Sequence, residues 1–106
     1  MFAVIYRWNV IPGREAQFEE GWREGTDAIR REFNGWGSRL HDAGTGQFIA
    51  YAQWPDEATW KAALAKRMYH SNEAARRKYR DAFYPGTFET LHAMPVTADL
   101  LDLRRG

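Results

Sequence analysis

Cysteine is absent, which excludes disulfide bonds and thiolate chemistry. No apolar run approaches the roughly 20 residues of a membrane span, so no membrane partner is expected. The start, Met1-Phe2-Ala3-Val4, lacks a basic segment followed by a cleavage site, so no secretory leader is expected. A reducing cytoplasm is the expected compartment. Net charge is only +1, so no bulk field favours nucleic acid or a membrane surface. Histidine is scarce: His41, His70 and His92 are scattered without paired ligand spacing, and no metal is expected. Repeats, low-complexity segments and linkers are also missing. Residues 1–106 therefore read as a single domain.

Aromatic residues, by contrast, are plentiful: five Trp, five Tyr and six Phe, more than a core this small requires. Two uses are open. They fill the core, or they line a cavity and a subunit interface.

One stretch, residues 48–61, organises the chain. A short aromatic strand stops at Trp54, and Pro55 cannot extend a sheet ladder. Asp56 can accept from the first free N–H groups of a helix, and Glu57 suits its positive end. Trp60 follows one turn into that helix. Upstream, residues 2–10 read as a strand in which the even positions are all large and the odd ones mixed. The even set faces a core or cavity; the odd set faces a second surface. After the Pro12-Gly13 turn, residues 14–33 form the longest helix. Phe18, Trp22, Gly25, Ile29 and Phe33 fall in an arc of about 80°. Gly21 and Gly25 on or beside this stripe suggest close approach of the helix to the sheet. A hairpin over residues 38–54 comes next, then the helix from Glu57 to about Arg67. Ser71 is positioned to cap a further helix over residues 72–83. A last strand over residues 88–96 contains Pro95, which suits a sheet edge.

The order is β-α-β-β-α-(α)-β. This is the ferredoxin-like split pattern of the α+β class, an antiparallel sheet with helices on one face. The other face needs cover, and a homodimer pairing two sheets is the simplest expectation.

Several of these residues carry a resemblance. Val4-Ile5-Tyr6-Arg7 leads into Pro12-Gly13-Arg14-Glu15. Gly35-Trp36 follows the long helix, and Trp54-Pro55-Asp56 leads to Ala58-Thr59-Trp60. His70 opens the next segment, and Pro95-Val96 and Asp99-Leu100-Leu101 close the chain. The sequence resembles the antibiotic biosynthesis monooxygenase family, whose members form dimeric α+β barrels. The resemblance implies a cavity between sheet and helices. It also implies cofactor-independent oxygenation of a small phenol, quinol or anthrone-type aromatic. Some relatives instead bind and degrade haem, and others have no demonstrated activity. A non-catalytic dimeric domain holding an apolar ligand is thus the alternative.

The candidate catalytic residues are His70, Trp60, Tyr6 and Tyr51. Trp60 matches the tryptophan that relatives present to the cavity, or it simply packs its helix on the sheet. His70 lies where haem-degrading relatives carry an axial ligand. In cofactor-free ones it is a candidate base. Tyr6 and Tyr51 are candidate hydrogen-bonding groups. The haem variant also calls for an asparagine on the first strand. The matching position holds Tyr6, and Asn9 has the wrong parity. Ala50 and Ala52 leave room for a ligand or receive Trp22 or Phe18. Arg39 and His41 share a strand face, where a structural histidine is expected. The basic residues from Lys61 to Arg80 form a solvated face or draw a phenolate or carboxylate to the cavity mouth.

Overall fold

The computed structural model describes residues 1–101. Four strands and three helices follow in the order β1 (Phe2–Asn9), α1 (Glu15–Phe33), β2 (Ser38–Asp42), β3 (Gln47–Trp54), α2 (Glu57–Ala65), α3 (Glu73–Arg80) and β4 (Glu89–Pro95). The sheet order is β2-β3-β1-β4, with every pairing antiparallel. This is the ferredoxin-like α+β arrangement. No helix among the described residues is long and apolar enough to cross a membrane.

Period-two alternation decides the two faces of the sheet. Phe2, Val4, Tyr6, Trp8 and Val10 are all buried under the helices, and so are Phe48, Ala50, Ala52 and Trp54 of β3. β1 and β3 pair in register, with Tyr6 opposite Ala50 and Val4 opposite Ala52. In the middle of the pair Tyr6 and Val4 thus meet small residues, while at its ends Phe2 faces Trp54 and Trp8 faces Phe48. The opposite face carries Ile5, Arg7, Ile49 and Tyr51, all half-buried. β4 is an edge strand ending at Pro95, as its composition implies. Its register with β1 shifts between Ile5 and Tyr6, where His92 and Thr90 are the successive partners.

Helix α1 lays Phe18, Gly21, Gly25 and Ala28 against the rest of the molecule. Phe18 is fully buried and packs against Trp8, Phe48 and Tyr79 with ring centroids 5.3–5.7 Å apart. The helix ends at Asn34, a non-glycine residue in the left-handed region (φ 62°). The two glycines do not serve approach to the sheet. A Cβ on Gly21 would lie 2.5 Å from the backbone N of Tyr79, and one on Gly25 would lie 3.2 Å from His70 Nε2. The missing side chains let α3 and the His70 segment, not the sheet, close on α1.

Two local expectations change. Asn72, not Ser71, caps α3; its side chain accepts from Ala75 N at 3.1 Å. Ser71 is used instead to tie the segment to α1: its N–H and hydroxyl both donate to the Glu32 carboxylate, at 2.9 and 2.7 Å. Helix α3 also stops at Arg80 rather than running to residue 83. Ile11 N–H donates to Ala82 O at 2.8 Å and Tyr84 N–H to Asn9 O at 2.9 Å, drawing the chain into pairing with the end of β1. Asp56 caps α2 as expected, accepting from Thr59 N at 2.7 Å.

Candidate active site

Between sheet and helices lies a cavity of about 580 Å³, within the range typical of small-molecule sites. Its walls are largely apolar and include Trp8, Trp22, Trp54, Tyr79 and Phe88. The aromatic surplus is therefore divided. Phe18 and Phe48 fill the core, whereas Trp8, Trp22, Trp54 and Phe88 face the hollow. Ala52 lines it too; its small side chain on β3 leaves space beside Trp54.

Two indole–phenol pairs set the polar groups. Trp8 Nε1 donates to Tyr79 Oη at 2.7 Å. Trp60 Nε1 donates to Tyr6 Oη at 3.0 Å. Each phenol oxygen thus receives a hydrogen bond from behind and keeps its own O–H free to donate. Burial pushes the Tyr6 hydroxyl up to about 12 against the opposing pull of the Trp60 bond. Burial raises Tyr79 further. Both stay protonated at neutral pH. Trp54 Nε1 is the one sealed side-chain nitrogen without a partner among the described residues.

His70 is 5% exposed and lines the same cavity. Its Nδ1 accepts the backbone N–H of Asn72 at 3.2 Å, the turn that opens α3. A neutral imidazole has one donor and one acceptor nitrogen, so this bond places the ring proton on Nε2. Nε2 has no partner among the described residues and faces the Gly25 side of α1. Desolvation by burial, then the nearby Arg76 charge, hold His70 below its ordinary value; Glu32 opposes them. Arg76 donates to the His70 carbonyl and, at 2.9 Å, to Tyr69 Oη, and it stacks on the Tyr69 ring at 3.9 Å. Arg67 and Met68, just before this segment, both adopt left-handed backbone (φ 53° and 47°). Non-glycine residues hold that conformation only where the surroundings impose it.

Of the four residues singled out from sequence, the structure brings three together. Tyr6 and His70 line the cavity. Trp60, 8% exposed, stands behind Tyr6 and against Phe2, with centroids 5.5 Å apart, and does not reach the wall. Tyr51 lies on the other face of the sheet, in a groove with Ile5, His41, Ile49 and Leu101. The odd parity of Tyr51 against Tyr6 already carried that separation. His41 is a structural histidine there, its Nδ1 3.0 Å from Ile49 O. Tyr79 and Trp22 also line the cavity; Trp22 belongs to the apolar stripe of the long helix, and neither is among the residues singled out from sequence. Asn9 is exposed at the end of β1, away from the cavity, so the residues do not fit a haem site that needs a strand-one asparagine.

Comparison with known proteins agrees with this geometry. The sequence matches the Antibiotic biosynthesis monooxygenase family over residues 1–83. Among solved structures, SnoaB, a cofactor-independent oxygenase from Streptomyces nogalater, is similar with a TM-score of 0.69 at 16% identity, covering 95% of this chain and 97% of that one. The NE2512 protein of unknown function from Nitrosomonas europaea gives 0.67 at 18%, with 95% and 93% covered. Rv0793 from Mycobacterium tuberculosis gives 0.65 at 12%, with 94% and 98% covered. At these identities the structural likeness speaks for the fold alone. No curated protein matches the chain in sequence. The family match spans most of the chain, and with the split sheet and its one-sided helical cover it makes this protein a member of the antibiotic biosynthesis monooxygenase family.

Proposed function

We propose that this protein is a monooxygenase that works without a resident cofactor on a small electron-rich aromatic of phenol, quinol or anthrone type. The observation that carries this reading is the aromatic-walled cavity into which Tyr6, Tyr79 and His70 converge. Family membership supports it, as does the description of SnoaB as a cofactor-independent oxygenase.

In such a reaction the substrate supplies the electrons. An anthrone-type CH₂ loses a proton to solvent water at the cavity mouth to give an enolate, which passes one electron to dioxygen. The substrate radical and superoxide combine into a peroxide anion, which takes back the proton to give a carbon hydroperoxide. Loss of water then leaves a ketone, so R₂CH₂ + O₂ gives R₂C=O + H₂O. The chain contributes orientation against flat aromatic walls, exclusion of water, and hydrogen bonds to the negative oxygen. His70 and Tyr6 are assigned here as donors to that oxygen. The role of base expected for His70 does not suit a ring whose Nδ1 is already accepting. Trp60 acts through Tyr6 as a positioning residue.

The same proposal includes a homodimer. The helix-free face of the sheet presents Ile5, Ile49 and Tyr51, and beside it Leu100 and Leu101 are 98% and 52% exposed. A second copy laid on that face would cover these groups and assemble a barrel. A reducing cytoplasm is the proposed compartment, in keeping with the absence of cysteine.

The test is incubation with quinols and anthrones under ¹⁸O₂ and under argon. One labelled oxygen in the product, with matching oxygen uptake, is expected. Identical products under both gases would end the proposal. A second reading, a ligand-binding domain without catalysis, is favoured by one observation: no Asp or Glu lines the cavity among the described residues. Ligand retained in native mass spectrometry without oxygen uptake would select it.

A further inference from the structure

We infer that the cavity takes its aromatic ligand as a ready-made anion, and that the ligand class is a flat aromatic carboxylate whose charge is met by arginines at the mouth. This rests on the same cavity as the proposed oxygenation and specifies what enters it.

The first observation is a segregation of charge. The chain holds 15 Lys and Arg against 14 Asp and Glu, an almost even balance. Yet the cavity is lined by Arg30, Arg67, Arg76 and Arg80 together with His70, and by no carboxylate among the described residues. These arginines come from α1, the turn after α2, and α3, so three separate elements deliver the same sign to one opening.

The second observation is that nearby acids are committed elsewhere. Glu20 and Glu24 both bind Lys78, at 2.8 and 3.1 Å. Glu73 binds Arg77 at 2.7 Å, and Asp27 binds Arg31. Glu32 is held by Ser71. The side chains of Arg30 and Arg67 make no hydrogen bond or ion pair with the described residues. The hydrogen-bond partners of Arg76, the His70 carbonyl and the Tyr69 hydroxyl, are neutral, and it forms no ion pair with the described residues. Of the four, only Arg80 forms an ion pair with a described residue, Asp81 at 3.4 Å. The left-handed backbone at Arg67 and Met68 holds one of the unpaired guanidinium groups on a constrained turn.

The third observation is that the interior can stabilise negative charge but has no strong group to create it. The Nδ1 lone pair of His70 is occupied, and the Tyr6 and Tyr79 hydroxyls are held protonated. A free phenol, with a pKa near 10, would enter neutral; a carboxylate, near 4, arrives charged. The apolar walls then take the ring system, and the guanidinium groups suit the planar carboxylate.

The experiment is isothermal titration calorimetry with 1-hydroxy-2-naphthoate and its methyl ester, at low and at moderate salt. The acid is expected to bind at least about tenfold more tightly than the ester, with the difference shrinking as salt rises. In an Arg30→Gln/Arg67→Gln double variant, whose side chains are exposed and whose fold is checked by circular dichroism, the acid should lose about tenfold and the ester should not change. Equal binding of acid and ester, equal loss of both in the variant, or binding of neither would overturn the inference. No turnover is measured, so the outcomes separate. Labelled-oxygen incorporation into a neutral anthrone with no preference for the acid would sink this inference and leave oxygenation standing. Preference for the acid with no oxygen uptake on any substrate would do the reverse.

Discussion

Trp60 on α2 and Tyr6 on β1, 54 residues apart in the chain, are joined by a 3.0 Å hydrogen bond from the indole N–H to the phenol oxygen. The bond orients the phenol. With the oxygen accepting from Trp60, the Tyr6 proton is free to turn towards a ligand. A tryptophan that misses the cavity wall can thereby still govern what the wall presents.

Tyr6→Phe removes the acceptor and strands a buried indole N–H. A stranded donor of this kind costs about 1–3 kcal/mol. Urea unfolding should show a lower midpoint with an unchanged slope. Trp60→Phe removes the donor together with part of a large buried ring, so it should also destabilise. An unchanged midpoint in Tyr6→Phe would mean that the pair carries no structural weight.

His70 gives a pH dependence with a definite sign. Its pKa in the folded chain lies below the ordinary 6.5, because burial and Arg76 disfavour the cation, with Arg31 adding and Glu32 opposing. The unfolded chain therefore binds the proton more readily. The stability contributed by neutral His70 is fully present above the unfolded pKa and is lost as pH falls from there through the lower folded value. Thermal unfolding from neutral pH downward should fall more steeply in the native protein than in His70→Gln. Parallel curves would contradict the assignment.

Gly21→Ala tests the contact between α1 and α3. Helix propensity alone predicts a gain of about 1 kcal/mol. The new Cβ would sit 2.5 Å from Tyr79 N, a backbone atom that cannot swing aside. Overpacking of this kind costs about 1–3 kcal/mol, so a net loss in stability is expected. The strain should also displace Tyr79 and weaken ligand binding. A higher melting temperature would show that α3 moves away freely.

Ile49→Asp places a charge in the middle of the helix-free sheet face. If that face pairs with a second copy, light scattering should show a dimer for the native chain and a monomer for the variant. A native monomer would remove the barrel from the proposal.

Element order and sheet parity were legible because they depend on neighbours in the chain. The all-large even positions of residues 2–10 and the Trp54-Pro55-Asp56 corner each encode their structure within a few residues. The cap of α3 was less legible. Ser71 and Asn72 both suit a cap, and only Glu32, arriving from another helix, takes Ser71 out of competition. The two helical glycines announced a close approach without naming the partner, since the partner is set by how α3 folds back on α1.

By itself the sequence determined the split α+β order, the buried face of each strand, and the family of the fold, because alternation, turn residues and capping are local. The tertiary structure decided the candidate site. It put Trp60 behind Tyr6, sent Tyr51 to the far side of the sheet, and brought Tyr79 and four arginines from separate elements to one opening. It also placed the His70 proton on Nε2, the nitrogen beside Gly25 of α1. The physical reason is that a hydrogen bond fixes a tautomer and a protonation state only when its partner is in place, and that partner, the Asn72 backbone N–H, is presented by the folded turn.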